Sequence, residues 1–253
     1  MRRRLGQHFL IDESILDRMI QYGEVTGDDV VLDIGAGRGE LTAKLAERAG
    51  KVIAVELDRG LAEEARRRLE DYDNVEILVG DVLKLRPTGF NKVVSNPPYS
   101  ISTKLLEWLI DEGAERIVLT LQREFASKLV AKPGSAKYLY ISFLSNLLYD
   151  SRIVEFVPRE LFRPMPRVDS AIVLMKRRCV QKLDEEVKGF VKFLFTRRRQ
   201  VLRRVLRDLV RRTGLAIDLT GIFGDELLSR RIYQLTPSQL LLVSEKFLAL
   251  KAK

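Results

Sequence analysis

The most constraining feature of the chain is a strand, a glycine turn and a helix in immediate succession. Asp29-Val30-Val31-Leu32-Asp33-Ile34 reads as a buried strand, and Gly35-Ala36-Gly37-Arg38-Gly39-Glu40 reads as a turn. Glycines let a backbone come close to a ligand there. A helix from about Leu41 to Arg48 follows. This succession opens a nucleotide-binding βαβ unit and predicts a parallel sheet. The spacing is Gly-x-Gly-x-Gly, unlike the Gly-x-Gly-x-x-Gly of dinucleotide enzymes, and no Gly-Lys-Ser/Thr follows to make a phosphate-binding P-loop.

Three more strands continue the pattern. Val52 to Val55 ends at Glu56, about twenty positions after Gly35, where an acidic residue accepts hydrogen bonds from ribose hydroxyls. Val75 to Val79 ends at Gly80-Asp81-Val82, where Asp81 can accept from an adenine amino group. Val93-Val94-Ser95 runs into Asn96-Pro97-Pro98-Tyr99. In a parallel sheet Gly35, Glu56, Asp81 and Asn96 therefore converge on one edge, outside the carboxyl ends of the strands. The two prolines hold the last of these loops out of helix. That loop offers an amide side chain, a carbonyl of fixed direction and an aromatic face, a set suited to a planar group bearing an NH₂.

Ile117–Leu121, Ile153–Val157 and Ser170–Met175 read as further strands, which brings the sheet to seven. Between the last two lies a second proline-stiffened loop, Pro158 to Pro166, displaying Phe162. From about Asp184 the periodicity turns helical, with Val187, Val191, Leu194, Leu202, Val205 and Leu209 on one apolar stripe. The expected division is a catalytic domain over 1–180 and a small all-helical domain over 181–253. Residues 176–212 hold 14 Lys/Arg and 4 Asp/Glu, whereas the whole chain carries +9, so the rest is near neutral. A basic segment on a neutral body points to a polyanion, with Arg197, Arg199, Arg203, Arg207 and Arg211 as the candidate phosphate contacts.

No apolar run approaches the roughly 18 residues of a membrane helix, and the basic start at Met1–Arg4 lacks the apolar core of a secretory signal. The one cysteine, Cys179, permits no internal disulfide, and with one histidine it makes an all-protein zinc site implausible. The expectation is a cytoplasmic monomer without a metal.

These motifs resemble a family. Gly6-Gln7-His8-Phe9-Leu10, Asp33 to Thr42, Val55-Glu56-Leu57-Asp58, Gly80-Asp81 and Asn96-Pro97-Pro98-Tyr99 occur in the order found in ribosomal RNA adenine N6,N6-dimethyltransferases. Phe162-Arg163-Pro164-Met165-Pro166-Arg167-Val168-Asp169-Ser170-Ala171 and Arg197-Arg198-Arg199-Gln200 also look like that family. Asn-Pro-Pro-Tyr alone is shared with DNA adenine and protein glutamine methyltransferases; the N-terminal and Val-Asp-Ser-Ala motifs are the more specific. The resemblance implies a Rossmann-like class I methyltransferase fold using S-adenosyl-L-methionine. It implies as substrate two adjacent adenosines in the 3′-terminal hairpin of small-subunit ribosomal RNA, met in the immature small ribosomal subunit. It places Gln7, His8, Leu10, Gly35, Gly37, Glu56, Asp81, Val82 and Asn96 at the cofactor. The expected catalytic set is Asn96 and Pro97, accepting the N6–H bonds, with Tyr99 stacking on a flipped adenine and Phe162 either its second face or a plug in the core. The rivals are a DNA adenine or glutamine methyltransferase, and an assembly factor of the same fold with weak or lost catalysis.

Overall fold

The computed structural model describes residues 8–178, 182–213 and 217–251. In chain order the elements are β1 (Phe9–Leu10), α1 (Glu13–Gly23), β2 (Val30–Ile34), α2 (Glu40–Ala46), β3 (Lys51–Glu56), α3 (Arg59–Arg68), β4 (Val75–Val79), α4 (Val82–Leu85) and β5 (Lys92–Ser95). They continue with α5 (Ser102–Glu112), β6 (Arg116–Gln122), α6 (Arg123–Leu129), α7 (Tyr140–Leu148), β7 (Tyr149–Val157), β8 (Phe162–Arg163) and β9 (Ser170–Arg177). Helices α8 (Glu185–Thr196), α9 (Leu202–Thr213), α10 (Leu219–Phe223), α11 (Asp225–Ser229) and α12 (Pro237–Lys251) follow.

The chain divides into two compact units, one drawn from 1–127 with 149–180, the other from 128–148 with 181–253. The first is built on a seven-stranded sheet in the order β4-β3-β2-β5-β6-β9-β7. Strands β4, β3, β2, β5 and β6 are parallel, and β9 pairs antiparallel with both β6 and β7. The parallel strands are apolar on both faces because helices cover both: Val31, Leu32, Val52, Ala54, Val93, Val94, Ile117 and Val118 are fully buried. Helix α1 is capped by Asp12, whose carboxylate accepts from the Ile15 N–H. Its apolar stripe, Ile15, Leu16, Met19 and Ile20, enters the core.

A buried polar lock closes the end of the sheet away from the strand tips that matter below. Asp29 accepts from Lys92 Nζ at 2.8 Å, Asn91 Nδ2 at 2.8 Å and the Thr26 N–H at 2.7 Å, while Asn91 Oδ1 accepts from the Val30 N–H. Burial of Asp29 opposes its charge, but these donors together outweigh it and hold the carboxyl at about 2.

The second unit is helical. Tyr138, Tyr140, Phe143 and Phe195 form an aromatic cluster, and α9 buries Leu202, Val205 and Leu206 completely. The inward stripe of α9 thus uses Leu206, while the expected Leu209 is only partly covered. Residues 128–148 belong to this unit although they precede the last strands in sequence.

Candidate active site

Strand order reverses between β2 and β5, since the chain runs outward from β2 to β4 and then returns to the other side of β2. Such a switch point opens a crevice at the carboxyl ends of the strands. Here β2 and β5 pair at only two positions, Val31 with Lys92 and Leu32 with Val93. Beyond them Ser95 takes over: its hydroxyl donates to the Ile34 carbonyl at 2.6 Å and accepts from the Ile34 N–H at 3.0 Å. A cleft opens above this join, and its lining includes His8, Gly35, Glu56, Asp81, Val82 and Asn96.

The glycine turn forms one wall. Gly35 and Gly37 have φ of +74° and +60°, which L side chains rarely adopt. A Cβ on Gly37 would also stand 2.8 Å from Phe9 Cε1. Glu56, at the tip of β3, is 2% exposed and is gripped by backbone: one oxygen accepts from the Gly37 N–H at 2.9 Å, the other from the Asp58 N–H at 2.8 Å. The carboxylate is thereby held rigidly in the cleft wall. Asp81 caps α4 by accepting from the Leu83 N–H at 3.0 Å, and it too lines the cleft. Behind the turn, Asp33 is 1% exposed and accepts from the Thr42 hydroxyl at 2.7 Å. Burial raises its carboxyl to about 7, the Thr42 bond opposes this, and the nearby Glu56 charge adds to it.

The opposite wall is the Asn-Pro-Pro-Tyr loop. Asn96 Nδ2 donates to the His8 carbonyl at 2.9 Å, which fixes the amide with its Oδ1 turned away from that bond. His8 stacks on Tyr99, ring centroids 5.8 Å apart, and its Nδ1–H donates to the Pro164 carbonyl at 2.7 Å. The Tyr99 hydroxyl lies 2.5 Å from that of Ser170, which is fully buried. Burial raises the Tyr99 phenol above its ordinary value and outweighs the Ser170 bond, so the ring is neutral.

Three expected site residues are not in the cleft lining: Phe162, Leu10 and Gly37, the last standing behind it with its N–H on Glu56. Phe162 is fully buried in the hydrophobic core and does not line the cleft; pairing of β8 with β1 turns it inward, opposite Leu10. Leu10 has its side chain in the same core. Gln7 lies outside the described residues. Phe9 and Leu57 line the cleft without having been singled out, and Ser95 and Ser170 act behind it. A serine whose bond crosses between distant segments leaves no local pattern to find. Among the described residues no group of three His, Cys, Asp or Glu is arranged to hold a metal.

In the helical unit the arginines divide. Arg203 pairs with Asp225 and donates to Thr220, and Arg197 sits 3.7 Å from Asp208 with its guanidinium over the Phe193 ring. These two are tied down inside the unit. Arg199, Arg204, Arg207 and Arg211 are exposed, and the last three share one face of α9 by their spacing.

The residues fit a nucleoside cofactor by the chemistry of their groups: a fixed carboxylate for a diol, a second for an amine, and a glycine turn whose positive φ at Gly35 brings bare main chain to the cleft. The chain matches the ribosomal RNA adenine dimethylase family over residues 1–236. It is 47% identical to a Methanopyrus kandleri protein named as a probable ribosomal RNA small subunit methyltransferase A, over 73% of this chain and 66% of that one. It is 36% identical to the Thermotoga maritima ribosomal RNA small subunit methyltransferase A, over 98% of this chain and 85% of that one. Among solved structures it resembles a dimethyladenosine transferase from Plasmodium falciparum, with a TM-score of 0.85, 26% identity, and coverage of 97% and 98%. With its glycine turn, its carboxylates and its Asn-Pro-Pro-Tyr loop on one sheet edge, this chain belongs to the ribosomal RNA adenine dimethylase family.

Proposed function

We propose that the protein dimethylates N6 of two adjacent adenosines in the 3′-terminal hairpin of small-subunit ribosomal RNA, during ribosome biogenesis, as a cytoplasmic monomer. S-adenosyl-L-methionine is the methyl donor; when bound it supplies an electrophilic methyl on a sulfonium. Glu56 would hold its ribose hydroxyls, Asp81 its adenine amine, and the Gly35–Gly37 turn its methionyl end.

The observation that carries this reading is the Asn96 amide, oriented by the His8 carbonyl. Adenine N6 is a poor nucleophile because its lone pair is delocalised into the ring. Asn96 Oδ1 and the Pro97 carbonyl each accept one N6–H bond, which turns the lone pair out of conjugation. Tyr99 offers its neutral ring as a stacking face, with the His8 and Ser170 contacts setting its plane. Stacking of this kind is worth about 1–3 kcal/mol per base. No covalent nucleophile takes part, so rate enhancement comes from positioning and fixed dipoles. The exposed arginines of α9 would hold RNA phosphates without reading sequence.

Incubating the protein with labelled S-adenosyl-L-methionine and immature small subunits, then digesting the RNA to nucleosides, tests the reading. N6,N6-dimethyladenosine at two neighbouring positions is expected. Label in ribosomal protein, in other nucleosides, or nowhere would overturn it.

A further inference from the structure

The loop between β7 and β9 is joined to the cleft at two points. The Pro164 carbonyl accepts from His8, and Ser170 meets the Tyr99 hydroxyl. Its own anchors are Phe162 and Pro166, both buried. Across the loop, the Arg159 guanidinium donates to the Arg167 carbonyl at 3.5 Å, and the Arg159 N–H to the Asp169 carboxylate at 3.3 Å. The two arms are therefore held together, and the segment between them has a preset shape.

What that segment presents is unusual for a surface loop. Met165 and Val168 are 52% and 45% exposed. Single exposed apolar residues are common. These two, however, alternate with Arg163 and Arg167, both exposed and neither in an ion pair among the described residues. The only acids on the loop, Glu160 and Asp169, are engaged with Arg159 and Arg123. A short run with two guanidinium groups whose charge no acid among the described residues neutralises, Arg163 donating only to the Glu160 and Phe162 carbonyls, and two apolar side chains, at the rim of a cleft built for a base, matches a nucleic-acid strand in both charge and polarity. A base placed in the cleft has left its stack, so its neighbour is missing a stacking partner. Apolar surface beside the cleft mouth can replace that partner, and guanidinium groups can hold the phosphates on either side.

We propose that residues 163–168 are the grip for the RNA strand flanking the target adenosine, with Arg163 and Arg167 on its phosphates and Met165 and Val168 against the neighbouring base. This rests on the reading that the substrate is RNA. It gives the sheet unit its own RNA contact, independent of the arginines on α9.

The test uses the full chain and a synthetic hairpin RNA with two adjacent adenosines, with S-adenosyl-L-methionine present. Two variants are compared with the parent, Arg163→Gln/Arg167→Gln and Met165→Ser/Val168→Ser. All four side chains are exposed, and melting curves verify folding. The charge variant is expected to bind the hairpin about tenfold more weakly, with a salt slope reduced by about 1.4 for two single-strand phosphates. Cofactor affinity by calorimetry should match the parent. Replacing the base next to the target by an abasic site should weaken binding to the parent several-fold and to the apolar variant hardly at all. Parent-like affinity, salt slope and abasic penalty in the variants overturn the proposal. So does a loss seen only with immature subunits and never with the hairpin, which would assign the face to a ribosomal protein. If the parent itself methylates neither RNA, the proposed substrate fails, and the inference fails with it.

Discussion

In the sheet unit the carboxylates that line the cleft are held by main chain: Glu56 by the Gly37 and Asp58 N–H groups, Asp81 by Leu83. In the helical unit the arginines are held, where they are held at all, by other side chains: Arg203 by Asp225 and Thr220, Arg197 by Asp208. A main-chain donor at a strand end keeps its place as long as the sheet exists. A side-chain partner can swing away, and in these pairs the carboxylate stays well hydrated while the arginine is half-buried. The sheet unit is thus suited to placing reacting atoms, the helical unit to tolerating an irregular polyanion. The same contrast exists for charge. The sheet unit draws Lys92 and Asp29 into a pair with side chains 12% and 6% exposed, whereas Arg203 and Asp225 keep 27% and 74%.

The largest effects should come from separating the two walls of the cleft. Asn96→Ala removes the acceptor that orients the target amine and leaves Glu56 and Asp81 untouched. Single-turnover methyl transfer should fall by about 10²–10³-fold, as for loss of one preorganised polar group in a transition state. Cofactor affinity measured by calorimetry should stay within about twofold. Near-parental turnover would sink the proposed role of the amide. Glu56→Ala should do the reverse: cofactor affinity falls about 10- to 100-fold, in proportion to losing charge-assisted hydrogen bonds, while hairpin binding holds. An unchanged cofactor affinity would mean that the ribose is held elsewhere.

The charge contrast makes a stability prediction. Lys92→Met leaves a buried Asp29 carboxylate with only neutral donors and should lower unfolding free energy by about 1.5–3 kcal/mol, as for loss of a hydrogen bond to a charged group. Arg203→Met, across a pair whose acid is open to solvent, should cost less than about 1 kcal/mol. Denaturant melts of the two variants decide it, and equal losses would erase the distinction between the units. The pH dependence carries the same information. Asp29 has a folded value near 2, below its ordinary 3.8, so its contribution is complete above about pH 4 and disappears as pH falls toward 2. In Lys92→Met that acid limb should flatten, because the donor that contributes most to the lowering is gone.

The cleft was legible because strand ends are fixed by topology. Once the strands ending before Gly35, at Glu56, before Asp81 and before Asn96 are parallel neighbours, their tips must meet, whatever the loops do. Side-chain direction within a proline loop has no such rule, and there the sequence left stacking face and core plug equally open for Phe162. Phe162 carries the aromatic that a stacking site needs, yet pairing of β8 with β1 turns it into the core and leaves Met165 and Val168 outside. That short pairing joins residues more than 150 positions apart, and two-residue strands have no period to detect. The assignment of 128–148 to the helical unit was equally silent, since an insertion keeps its own helical periodicity wherever it docks. Among the arginines, sequence located the basic segment but did not sort its members. Pairing of Arg203 depends on Asp225, which lies two helices away along the chain.

That sorting yields the smallest predicted effect and the sharpest test of the helical unit. If tied arginines are structural and untied ones bind phosphate, Arg207→Gln/Arg211→Gln should weaken hairpin binding and lower the salt slope by about one for each phosphate no longer neutralised, near 2 for the pair. Arg197→Gln/Arg203→Gln removes the same formal charge from the same basic segment. It should leave the slope nearly unchanged and show instead a loss of under about 1 kcal/mol per ion pair in melting experiments. Long-range attraction alone would make the two variants equal, because each lowers net charge by two. A difference in slope at matched net charge therefore separates direct phosphate binding from general electrostatic steering. Equal slopes would mean that the basic face of α9 acts only through its field, and that the strand is gripped on the sheet unit.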